Sequence, residues 1–61
     1  MDFIARYRAV GRDGRLHLVD ELVDEGQRHW LELTDGTPVK RLSSDSFETE
    51  DGQAFLLLSR N

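Results

Sequence analysis

Val10-Gly11-Arg12-Asp13-Gly14-Arg15-Leu16 lies between two runs of strand-forming residues, Phe3–Val10 and Leu16–Val23. Asp-Gly suits a tight hairpin loop, because such loops need backbone conformations with positive φ that glycine adopts freely. The dipeptide recurs at Asp35-Gly36 and Asp51-Gly52, each time between apolar or β-branched segments. Three such reversals in 61 residues predict a chain made almost wholly of β-hairpins. Asp24–Arg28 and Ser43–Ser46 are the loosest remaining stretches and are expected to join one hairpin to the next.

A two-residue loop at Asp13-Gly14 sets Val10 opposite His17, Tyr7 opposite Asp20 and Arg6 opposite Glu21. Phe3, Ala5, Tyr7, Ala9, Leu18 and Leu22 then form the core-facing side, with Val19 and Glu21 on the other. The same rule at Asp35-Gly36 sets Trp30 opposite Arg41. At Asp51-Gly52 it sets Phe47 opposite Leu56. Phe47, Leu56 and Leu58 are then core, while Phe55 and Leu57 face the other way. Leu18, Val19, Leu22 and Val23 also fit one face of a helix with Gly26 as its cap. The upstream turn and the matching faces favour a strand over residues 18–25.

Six short strands in so small a chain bury a core only if the sheet curls. The expected fold is all-β: a small SH3-like barrel, or a strongly bent antiparallel meander of about five to six strands in sequential hairpins, with residues 1–61 forming a single domain. The run Ala54–Leu58 is apolar enough to aggregate as an open edge, so it must be central, covered or paired.

Composition narrows the function classes. The chain lacks cysteine, which removes disulfides and thiolate metal sites. The first residues carry no basic stretch followed by an apolar one, and no apolar run is long enough to span a bilayer, so the expected location is the cytoplasm. Net charge is −4, unevenly spread: residues 1–15 carry four arginines against two aspartates, and the remainder carries four basic groups against ten acidic ones. An acidic whole opposes non-specific nucleic-acid binding. The alternative of a nucleic-acid-binding barrel would use Arg6, Arg8, Arg12 and Arg15; against it, Arg6 and Arg8 alternate with Tyr7, so charge and aromatic platform fall on opposite faces, unlike a single-strand-binding barrel. A carboxylate surface mimicking nucleic acid would need Asp20, Glu21, Asp24, Glu25, Glu48, Glu50 and Asp51 to converge.

Catalysis has little support. His17 and His29 match no metal-ligand spacing, and the serines lack the context of a nucleophile. No catalytic residue, metal site or cofactor is assigned. Trp30 is the outstanding side chain, either as core or as an aromatic platform for a peptide. The candidate interaction surface is Trp30, Val39 and Arg41, with Phe55 and Leu57 if the last hairpin leaves them uncovered. The expected role is a non-catalytic interaction module for a protein partner or a second copy of itself.

Asp35-Gly36-Thr37-Pro38-Val39-Lys40-Arg41, followed by Asp45-Ser46-Phe47-Glu48 and Gly52, resembles a "DG-x-P-V-x-R … D-x-F-E" pattern of short uncharacterised bacterial β-domain proteins. The similarity covers about the C-terminal half. It implies a bacterial, stand-alone β protein and no particular activity.

Overall fold

A computed structural model describes residues 2–60. They form six strands: β1 (Asp2–Gly11), β2 (Leu16–Val23), β3 (His29–Leu33), β4 (Pro38–Ser43), β5 (Ser46–Thr49) and β6 (Ala54–Arg60). Each strand pairs antiparallel with the next, and β6 returns to pair with β1, closing the sheet into a small SH3-like barrel. Residues 18–25 are strand and loop, not helix. The apolar segment Ala54–Leu58 lies between β1 and β5 and so presents no free edge. Pro38 opens β4, where its missing N–H costs no ladder bond. No helix among the described residues is long and apolar enough to cross a membrane.

The Asp-Gly hairpins turn as expected, but with three-residue loops instead of two. In the first, Gly11 N–H donates to the Arg15 carbonyl (3.0 Å) and Gly14 N–H to the Gly11 carbonyl (3.0 Å). Leu33 with Thr37 and Thr49 with Gln53 repeat the arrangement. In each loop only the glycine has positive φ, at 75°, 90° and 90°, whereas a two-residue type I′ loop needs it at the aspartate as well.

This adds one residue to each loop and slips each register by one, which turns the following strand over. Tyr7 faces Val19, Arg6 faces Asp20, Leu31 faces Val39, and Phe47 faces Phe55. The core is therefore Ala5, Tyr7, Ala9, Val19, Val39, Phe47 and Phe55, with Leu31, Leu33 and Leu57 packed against it. Expectations for the leading strands hold for β5 and for β1 from Ala5 onward: Ala5, Tyr7, Ala9 and Phe47 point inward, whereas Phe3, expected in the core, is 57% exposed because the register shifts between it and Ala5. Those for the strands after the turns are corrected. Leu18 and Leu22 give way to Val19, which is fully buried. Leu56 and Leu58 are 58% and 60% exposed, while Phe55 is 4% exposed.

Alternation along the strands and the loop positions give the barrel two unlike ends. Loops 12–14, 34–36 and 50–52 gather at one. Loops 25–27 and 44–45 meet the beginning of β1 and the end of β6 at the other.

Candidate functional site

The sheet opens between β3 and β4. Their register contains only Leu31↔Val39 and Glu32↔Pro38, next to the loop bond from Leu33 N–H to the Thr37 carbonyl (2.9 Å). Antiparallel alternation makes Leu33/Thr37 and Leu31/Val39 successive hydrogen-bonded pairs, so His29 and Arg41 would be the next. The ladder ends before them. Their backbone groups therefore face across a cleft of about 410 Å³ lined by Glu21, His29, Trp30, Leu31, Val39, Lys40 and Arg41.

Three of the five residues in the expected interaction surface meet here, in altered roles. Trp30 lies on the outer lip, half-buried, and its indole N–H donates to Glu32 Oε2 (3.2 Å). It stands opposite Leu22, which in turn stands opposite Phe3, giving an apolar row outside the cleft. Val39 is buried and forms the floor instead of an exposed contact. Arg41 does not stack on Trp30. It stays exposed on the inward side of β4, with its guanidinium over the end of the core, 5.7 Å from the Tyr7 ring centroid and 5.5 Å from that of Phe47. Its guanidinium donates to the carbonyls of Ser43 (3.2 Å) and Ser44 (2.8 Å), covering the end of β4. Phe55 and Leu57 leave the proposed surface altogether, because the register slip sends both into the barrel.

A chain of polar contacts lies beneath the cleft. Tyr7 O–H donates to Glu21 Oε1 (2.6 Å), and His29 Nδ1 lies 2.8 Å from Glu21 Oε2. These bonds, led by that from Tyr7, hold the Glu21 carboxyl below the usual glutamate range. The same bond pushes the Tyr7 hydroxyl above its ordinary value. Arg60 approaches the Tyr7 ring at 6.0 Å. Both Glu21 oxygens are thus engaged, and no serine or threonine hydroxyl hydrogen-bonds to Glu21 or His29 among the described residues. The arrangement orients side chains around a recess.

Glu21, His29, Tyr7 and Lys40 were missed as members of this site, since the two-residue register turns Glu21 outward to Arg6. Arg6 instead binds Asp20, with Nε–Oδ1 2.7 Å and Nη2–Oδ2 3.2 Å. One signal was present in the sequence. A two-residue loop puts Arg12 directly opposite Arg15, and like charges in that position disfavour the pairing.

At the other end, His17 packs edge-on against Phe55 at 4.8 Å and lies 3.4 Å from Asp13. Gly11, Asp13, His17, Asp51 and Gln53 border a hollow of about 330 Å³. No group of three potential metal ligands converges among the described residues. The acidic residues do not form one surface: Asp20 is bound to Arg6, Glu21 is turned inward, and Glu50 and Asp51 are in a loop at the end away from Asp24 and Glu25. Comparison with protein-family models, curated proteins and solved structures finds no match.

Proposed function

We propose that this protein is a non-catalytic interaction module of the cytoplasm that takes an extended segment of a protein partner into the β3–β4 cleft. The supporting observation is the early end of the β3–β4 ladder, which leaves strand backbone facing a recess with Trp30 on its lip and Val39 at its floor. Main-chain bonding gives an extended peptide affinity in such a site, and pockets for alternate side chains give selectivity. Trp30 and the neighbouring Leu22 and Phe3 supply apolar area; Lys40 and Arg41 supply positive charge.

The test is selection from a display library of random linear peptides, followed by titration of the enriched sequences. Trp30→Ala is expected to weaken their binding by about tenfold or more, as truncation of an interface tryptophan does. An unchanged circular dichroism spectrum would show that the fold survives. A library without enriched sequences, or peptides that bind the folded variant as well as the parent, would remove the cleft as the binding site.

A further inference from the structure

The two sides of the cleft differ in charge. Leu31 and Val39 pack into the barrel, so strand alternation puts His29 and Arg41 on the inner side with them, and Trp30 and Lys40 on the outer side. The outer lip carries both signs: Lys40 stands opposite Glu48, and Glu32 receives the Trp30 indole N–H. On the inner side two guanidinium groups share one ring. That of Arg41 is 5.7 Å from the Tyr7 centroid and that of Arg60 is 6.0 Å from it. Neither arginine has an ion-pair partner among the described residues. Glu21, the acid lining the cleft, has both oxygens engaged by Tyr7 and His29. Asp45 accepts the Ser43 hydroxyl (2.9 Å). Asp2, Asp24 and Glu25 belong to the same end of the barrel, and none of them pairs with either arginine.

Like charges gathered on one ring repel, and a carboxylate brought between them removes that repulsion. Arg41 is held ready for one. Its bonds to the Ser43 and Ser44 carbonyls use Nε and one N–H of Nη2, which fixes the guanidinium and leaves the Nη1 donors for another acceptor. We infer that the segment taken by the cleft carries an acidic side chain, whose carboxylate is bound by Arg41 and Arg60 beside Tyr7. The inference rests on the β3–β4 cleft being the peptide site. It also fixes a sequence pattern. Successive side chains of an extended segment point to opposite sides. Trp30 is on the outer side and Arg41 on the inner one, so the apolar residue that meets Trp30 and the acidic residue that meets Arg41 are direct neighbours or three apart, never two.

Selection from random linear peptides should enrich aspartate or glutamate in that pattern. Replacing the acid by its amide in a synthetic copy of an enriched peptide should weaken binding to the parent protein about tenfold. Against Arg41→Gln the acidic peptide and its amide form should bind alike, and against Arg60→Gln the gap between them should narrow. Both arginines are exposed, so the circular dichroism spectrum should not change. Raising salt from about 50 mM to about 500 mM should weaken the acidic peptide and leave the amide form nearly unaffected. If Arg41→Gln fails to fold, Arg60→Gln and the salt series decide. Enriched peptides that need Trp30 but show no preference for an acid overturn this inference and leave the cleft standing, whereas a library without enriched sequences removes both. A gap that persists undiminished in the folded arginine variants, or that salt does not close, also overturns it.

Discussion

The two ends of the barrel are built by different means. At one, the loops Arg12-Asp13-Gly14, Thr34-Asp35-Gly36 and Glu50-Asp51-Gly52 repeat a single backbone geometry. Asp13 and Asp35 each accept the amide two residues on, from Arg15 and Thr37 (both 2.9 Å). In the third loop the Thr49 hydroxyl donates to Asp51 and accepts the Gln53 amide (3.1 Å). At the other end, Glu25-Gly26-Gln27 follows the same three-residue course, yet Gln27 occupies the positive-φ position, at 65°. There Asp24 accepts the Arg28 amide (2.9 Å). That end is held mainly by contacts between distant residues: Tyr7 with Glu21, Glu21 with His29, and Arg41 and Arg60 with Tyr7. It is also where the sheet parts. One end rests on local backbone preference and the other on long-range side-chain contacts, and the cleft lies in the second.

Tyr7→Phe should break the long-range end most severely, lowering stability at neutral pH by about 1–3 kcal/mol because a partly buried carboxylate loses its donor. Its pH signature has two arms. Glu21 titrates below its unfolded value, so its contribution is present above the ordinary glutamate range, near pH 4.3, and is lost as pH falls through the folded value. Tyr7 titrates above its unfolded value, so its contribution is present below about pH 10 and is lost as pH rises through the folded value. Urea midpoints measured against pH should therefore flatten at both extremes in the variant. The acid slope that remains would come from the His29 contact that Glu21 keeps and from Asp13 and Asp35, which are lowered chiefly by their loop amides. Slopes identical to the parent's would show that the Tyr7–Glu21 bond does not persist in solution.

Gly36→Ala should break the local end. No atom lies within 4 Å of the added methyl group, so the cost is purely that of a left-handed backbone, about 1–2 kcal/mol. A thermal midpoint equal to the parent's would show that this loop can take another course. The smallest effect should be a gain. Gln27→Gly gives the open end the backbone freedom of the Asp-Gly end and should add about 0.5–1 kcal/mol, as relief of strain exceeds the entropic cost of glycine. A loss of stability would mean that Gln27 makes contacts worth more than the strain.

The same division explains what was legible in advance. The strand count, the positions of all five connections, and the inward residues of β5 and of β1 beyond Phe3 follow from local patterns; Phe3 was misplaced because a register shift before Ala5 turns it outward. The inward residues of β2, β4 and β6 did not, because each depends on whether the preceding loop holds two residues or three. That choice carried the errors at Glu21, Val39, Phe55 and Leu57. Of the expected surface, Trp30 remains at the lip and Arg41 is brought near it, but through a different contact.

That this chain turns back at its Asp-Gly pairs and must curl to bury a core is already written in its residues. Both consequences follow from backbone stereochemistry and the amount of apolar side chain. Which alternate residues point inward, where β6 meets β1, and where β3 and β4 separate emerge only once the barrel is assembled. Strand pairing is a relation between distant segments, and a shift of one position exchanges inside for outside while leaving every local preference satisfied.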